Sequence, residues 1–200
     1  MREHNTDRFS VYIIATAIIM FFAALPAGIF IVNLLQQTLF IRESQLFFET
    51  PRSAFMAFII TLMIVPIVMI LLVFVKSRTH GKKSRILMAA VSIMTLAAFA
   101  GMSYLSVTNY YYMDQNGFYY NKLWKLQEER YPWEKLTTIA QINTSDGGTL
   151  KADKLIFSFG QEKVELDISP KLYNEMEPVI ESLKSRGVTL ETVVKEERDE

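Results

Sequence analysis

The chain has no cysteine and only two histidines, His4 and His80. The first absence excludes disulfides, thiolate metal sites and a cysteine nucleophile. The second leaves no histidine with a ligand partner at i+4, so an intramembrane metalloenzyme or protease is not expected. Charge is missing over long stretches as well: no Asp, Glu, Lys, Arg or His falls within 9–35, 53–75 or 86–107. Ionisable groups inside a membrane span cost ~2.5–3.5 kcal/mol each on insertion scales and mark ion or proton pathways. Their absence weighs against a proton-coupled transporter.

Half of the 200 residues are hydrophobic, and they concentrate in those three runs. About 20 apolar residues suffice to cross a bilayer core, so each run is read as a transmembrane helix, the three forming a membrane domain over 1–107. The first is longer than the ~7–15 residues of a signal-peptide core, and Leu25-Pro26-Ala27-Gly28 is a poor cleavage site, so an uncleaved helix bent at Pro26 is expected. Pro66 interrupts the second run. Ala89, Ala90, Ala97, Ala98, Ala100 and Gly101 would let the third pack closely on a neighbour.

Orientation follows from Lys76–Arg85, which holds five Lys or Arg and no acidic residue. A short loop of that kind stays on the cytoplasmic side. Met1 is then cytoplasmic, while Gln36–Arg52 and everything beyond Val107 are extracytoplasmic. Residues 1–106 hold nine basic and four acidic residues, a net +5, whereas 107–200 hold twelve and seventeen, a net −5. The acidic half argues against a nucleic-acid partner. Between the first two runs, Gln36–Arg52 reads as an amphipathic loop with Leu39, Phe40, Ile41, Leu46, Phe47 and Phe48 at the lipid interface.

Beyond Val107 the period changes. Asn116-Gly117 between two aromatic runs signals a hairpin, because both residues tolerate positive φ. Strands are expected over Lys125–Tyr131 and Leu136–Thr144, the latter closed by Ser145-Asp146-Gly147-Gly148. Alternation continues through Leu155, Phe157 and Phe159, then Val164, Leu166 and Ile168. A helix follows, capped by Ser169, started by Pro170 and stopped at Gly187. Its stripe is Leu172, Met176, Val179, Ile180 and Leu183, with a kink or break expected at Pro178. Residues 191–200 read as a charged tail without regular structure.

Several antiparallel strands closed by one amphipathic helix, with Tyr112–Tyr120 (YMDQNGFYY) and Tyr131-Pro132-Trp133-Glu134-Lys135-Leu136, resemble the pleckstrin-homology-like (PH-like) domains of small bacterial membrane proteins. In that family an aromatic residue, a spacer, Trp and a following Leu or Ile mark the start of the middle strand. The resemblance covers 107–190 and implies a small barrel over 108–190, carried by a multi-pass protein of the bacterial cell membrane. Phosphoinositide-binding members carry basic residues in the first hairpin. Here Asp114-Gln115-Asn116-Gly117 has none, so a phosphoinositide site is not implied.

No residue set signals catalysis, a cofactor or a metal. Asp146-Gly147-Gly148 lacks the spacing of a calcium loop and the Lys of a P-loop, and Asn143-Thr144-Ser145 is a chance sequon. Glu165 and Asp167 point to one side of a strand and read as a solvated face. Glu128 and Glu129 make no better acid–base pair. Trp133 is expected to be a core or interface anchor beside Pro132. Tyr110, Tyr111, Tyr112, Tyr119 and Tyr120 are more aromatics than one small barrel face can bury. Tyr110–Tyr112 are expected at the headgroup level, while Tyr119 and Tyr120 could equally meet a partner. Trp133, Tyr119 and Tyr120 are therefore the candidate interface residues. Two function classes remain: a non-enzymatic protein- or peptide-binding module, such as an immunity or accessory factor, and an accessory subunit of a membrane transport complex.

Overall fold

The computed structural model describes residues 2–78, 81–146, 149–185 and 187–196. Within these the chain forms two compact units. The first comprises 1–41, 50–110 and 121–127, and the second 42–49, 111–120 and 128–200. This corrects the boundary expected at 107/108, since a segment from between the first two spans belongs to the second unit.

The first unit is built on helices α1 (Arg2–Phe40), α2 (Arg52–Arg78) and α3 (Lys82–Val107). Each is long and apolar enough to cross a membrane, with candidate spans Arg8–Phe40, Arg52–Lys76 and Ser84–Val107. At 39 residues α1 is about 58 Å long, well beyond a ~30 Å hydrocarbon core. It runs without interruption through Pro26, and α2 likewise through Pro66. α2 lies between the other two and packs on both. It approaches α1 closely at Gly28, where a Cβ would come within 2.6 Å of Ile59 Cγ1. Val32, Ala54 and Phe58 form a small buried cluster nearby. Thr61, Ser92 and Thr95 donate to carbonyls one turn back, so these three hydroxyls are satisfied locally. In the basic stretch, Thr79 and His80 lie outside the described residues.

The second unit is a two-layer β structure closed by helices. One sheet has strand order β1-β2-β3-β4, from β1 (Gln45–Glu49), β2 (Tyr110–Asp114), β3 (Gly117–Asn121) and β4 (Glu129–Pro132). The other has order β7-β6-β5-β8, from β5 (Leu136–Asp146), β6 (Thr149–Phe159), β7 (Glu162–Asp167) and β8 (Thr189–Glu196). Among the described residues the pairings form two separate ladders and do not close into a single barrel. A 3-10 turn at Trp133–Lys135 carries the chain from one sheet to the other. Between the layers sit Phe47, Met113, Phe118, Ile139, Phe157 and Val164, each at most 2% exposed. Phe118 and Phe157 stack across the layers at 5.9 Å.

Helices α4 (Pro170–Glu175) and α5 (Glu177–Ser185) close one end. Ser169 caps α4, its Oγ accepting from Leu172 N at 2.9 Å, and Pro170 starts it. The chain passes out of the helix at Gly187, with φ at +90°. The break expected at Pro178 falls at Met176, where α4 gives way to α5. Pro178 has no N–H to donate to the carbonyl of Asn174, so the hydrogen-bond ladder of α4 cannot run on through it. Leu172, Met176, Val179 and Leu183 are buried and Ile180 partly so, as the stripe requires.

Three sequence expectations about single elements are corrected. Gln45–Glu49 is not an interfacial loop but the edge strand β1, antiparallel to β2. Its Phe47 is 2% exposed in the core while Leu46 points outward. The tail expected from 191 is, as far as Glu196, part of β8, which pairs in parallel with β5 from Thr138↔Thr189 to Ser145↔Glu196. Residues 197–200 lie outside the described residues, as do Gly147 and Gly148 of the β5–β6 turn. The strand expected over Lys125–Tyr131 begins only at Glu129, after a turn closed by Lys125 N to Lys122 O at 2.9 Å.

The β2–β3 hairpin forms, but Gly117 does not adopt positive φ. A Cβ there would stand 2.6 Å from Tyr131 O, so the glycine is required by close approach of β4. Asp114 Oδ1 closes the turn by accepting from Asn116 N at 2.7 Å and Gly117 N at 2.9 Å.

Candidate functional site

Trp133 is buried, at 6% exposure. Its Nε1 donates to Asp114 O at 2.8 Å, its backbone N–H to Asn116 O at 3.2 Å, and its ring stacks near Phe159. It pins the corner between the two sheets to the β2–β3 turn. None of the five tyrosines is exposed, which corrects the expectation that some must be. Tyr110, Tyr111 and Tyr119 are buried, Tyr112 and Tyr120 half-buried.

The tyrosines divide by face. Tyr111 contacts Phe47, Phe118 and Tyr120 on the core side. Its hydroxyl donates to Glu49 on β1, and burial, then the Glu49 carboxylate, push its pKa far up. On the opposite face Tyr119 stacks flat on Tyr112 at 4.6 Å, with the Arg130 guanidinium 5.6 Å from its ring centre. Burial, then the Asp114 charge, raise the Tyr119 pKa. Glu128 and Glu129 accept from Tyr112 and Tyr131 hydroxyls at 3.2 and 2.8 Å, so they serve as tyrosine acceptors. Trp133, Tyr119 and Tyr120 thus lie in three settings: corner, outer face and core edge.

Among the described residues, one concave feature of this unit is a groove of about 270 Å3 between α4–α5 and strands β5, β6 and β8. Its floor is Leu155, Ile168, Leu172, Met176, Ile180 and Leu190, and Gln141, Tyr173, Glu177, Glu181 and Lys184 complete its lining. Ligand pockets of drug size occupy ~300–1,000 Å3, so this groove falls just short of that range. Helical periodicity identified the stripe, but not the groove: β8 forms one wall, and its charged sequence reads as a tail. Among the described residues no cluster of three His, Asp or Glu that could hold a metal is present.

The first unit carries a buried polar knot where the three helices begin and end. Gln36, fully buried, donates through Nε2 to Val107 O at 3.0 Å and Asn109 O at 2.9 Å, with Ser106 O at 3.5 Å. It thereby satisfies carbonyls that the C-terminus of α3 leaves open. Thr50 Oγ1 donates to Gln36 Oε1. Asn109, oriented to satisfy its neighbours, accepts from Ala54 N at 3.2 Å and Ser53 Oγ at 2.8 Å and donates to Asn121 O at 3.1 Å. No sequence signal marks this set, because its members are ordinary polar residues spread from position 36 to 121. Comparison of the chain with protein-family models, with curated proteins and with solved structures gives no match.

Proposed function

We propose that this chain is a non-enzymatic protein of the bacterial cell membrane whose C-terminal domain holds a protein or peptide partner. The groove beside α4–α5 carries the reading, since it combines an apolar floor with a rim of Glu177, Glu181 and Lys184. An apolar floor gives affinity, and a few polar groups around it set orientation. Immunity toward a secreted peptide, or an accessory role beside a membrane complex, fits such a site. The PH-like assignment belongs to the same proposal. It is supported by the order of antiparallel strands followed by an amphipathic helix. The basic stretch Lys76–Arg85 lies on the cytoplasmic side and the β domain on the other, on the strength of five basic residues against a balanced Gln36–Arg52.

A second reading, an accessory subunit of a transport complex, is favoured by α3. Its membrane-crossing window buries none of its residues, and Gly101 has nothing within 4 Å of where a Cβ would stand. A photo-crosslinking side chain at Tyr173, 68% exposed at the groove, separates the readings in the native membrane. A peptide or soluble-protein adduct that disappears in Ile180→Arg is expected. The same side chain at Leu96, 68% exposed on α3, capturing a stoichiometric transporter subunit would favour the second reading, and Tyr173 adducts indifferent to Ile180→Arg would defeat the first.

A further inference from the structure

The loop between β3 and β4, Asn121–Gln127, belongs to the same compact unit as the three long helices. Within it Trp124 is 73% exposed and Leu126 75%. Trp124 is the more telling of the two, since a singly exposed leucine is common on folded proteins whereas tryptophan is highly buried on average. The loop holds Lys122 and Lys125 and no acidic residue. Its first residue is tied to the exit of α3, because Asn109, two residues past Val107, donates to Asn121 O at 3.1 Å. The last turn of α3 presents Tyr104, 58% exposed, outward from the helix. The loop is therefore held at the level where the spans leave the hydrocarbon. Trp favours the headgroup zone because its ring is amphipathic, and lysine pairs with lipid phosphate while its stem covers apolar surface.

We infer that Asn121–Gln127 is an interfacial anchor that presses Trp124 and Leu126 into the bilayer surface with Lys122 and Lys125 among anionic headgroups. The headgroup role expected of Tyr110–Tyr112 passes to this loop, since Tyr110 and Tyr111 are buried and Tyr112 is half-buried. Lys125 N to Lys122 O closes the turn and sets Leu123 and Trp124 at its tip.

The chain has no cysteine, so Trp124→Cys and Leu126→Cys each accept one nitroxide label in the full-length protein. In proteoliposomes containing phosphatidylglycerol, the labels are expected to collide more with dissolved oxygen than with a water-soluble nickel complex. In vesicles of phosphatidylcholine alone, or with Lys122→Gln and Lys125→Gln added, the labels should lie shallower. Preferential collision with nickel would place the loop in water and overturn the inference. Shielding from both reagents would mean that protein covers the loop, and would overturn it equally.

Discussion

At the residue scale, Trp133 joins two jobs: its ring fills the corner between the sheets and its Nε1 satisfies Asp114 O. Trp133→Ala should cost ~3–5 kcal/mol by cavity formation, enough to unfold a domain of ordinary stability. Trp133→Phe keeps an aromatic ring and loses one hydrogen bond, so it should cost about 1 kcal/mol. Denaturant titrations of the two variants, followed by near-ultraviolet circular dichroism, check the ordering. Tyr111 and Tyr131 give a second prediction. Burial, then Glu49 for Tyr111 and Glu129 for Tyr131, hold both phenols protonated, so each folded pKa lies above the unfolded value. The stability they contribute is complete below about pH 10 and falls as pH rises beyond it. Thermal melts at increasing alkaline pH should show this loss, and Tyr111→Phe should make it shallower. An unchanged alkaline slope would exclude Tyr111 as a source.

At the scale of elements, β1 and the polar knot contribute most where the sequence is quietest. Phe47 lies in the core of the β unit, and Lys171 Nζ donates to Phe48 O at 2.7 Å, binding the edge strand to α4. Phe47→Ala should therefore destabilise that unit by ~3–5 kcal/mol, although the residue sits in sequence between two spans. Gln36→Ala leaves α3 carbonyls open and should cost ~1–3 kcal/mol, read as a lower unfolding midpoint in mixed detergent. A midpoint equal to wild type would show that the knot does not secure the helix ends.

These two features also mark how far local pattern reaches. The three spans, the β6–β7 alternation, the Ser169 cap and the Leu172–Leu183 stripe were legible because each signal is complete within one segment. β1 was not, because Leu46-Phe47-Phe48 reads equally well as an interfacial cluster until β2 is brought beside it. β8 was hidden by Glu191, Lys195 and Glu196, charges that an edge strand tolerates and a tail would share. Trp133 was legible as an anchor beside Pro132, whereas the groove and the Trp124 loop depend on neighbours that only the fold supplies.

At the scale of the whole molecule, three charge-free spans and an acidic β domain divide the chain between lipid and water. On the topology proposed above, that domain stands in water on the side away from Lys76–Arg85, where the proposed peptide would reach the groove beside Ile180. Lys82 and Lys163 are both described and exposed, one at the start of α3 and one on β7. The absence of native cysteine makes Lys82→Cys and Lys163→Cys unique targets for a membrane-impermeant maleimide on intact cells. The account predicts that position 163 is labelled at once and position 82 only after the membrane is permeabilised. Labelling of position 82 with protection of position 163 would contradict it.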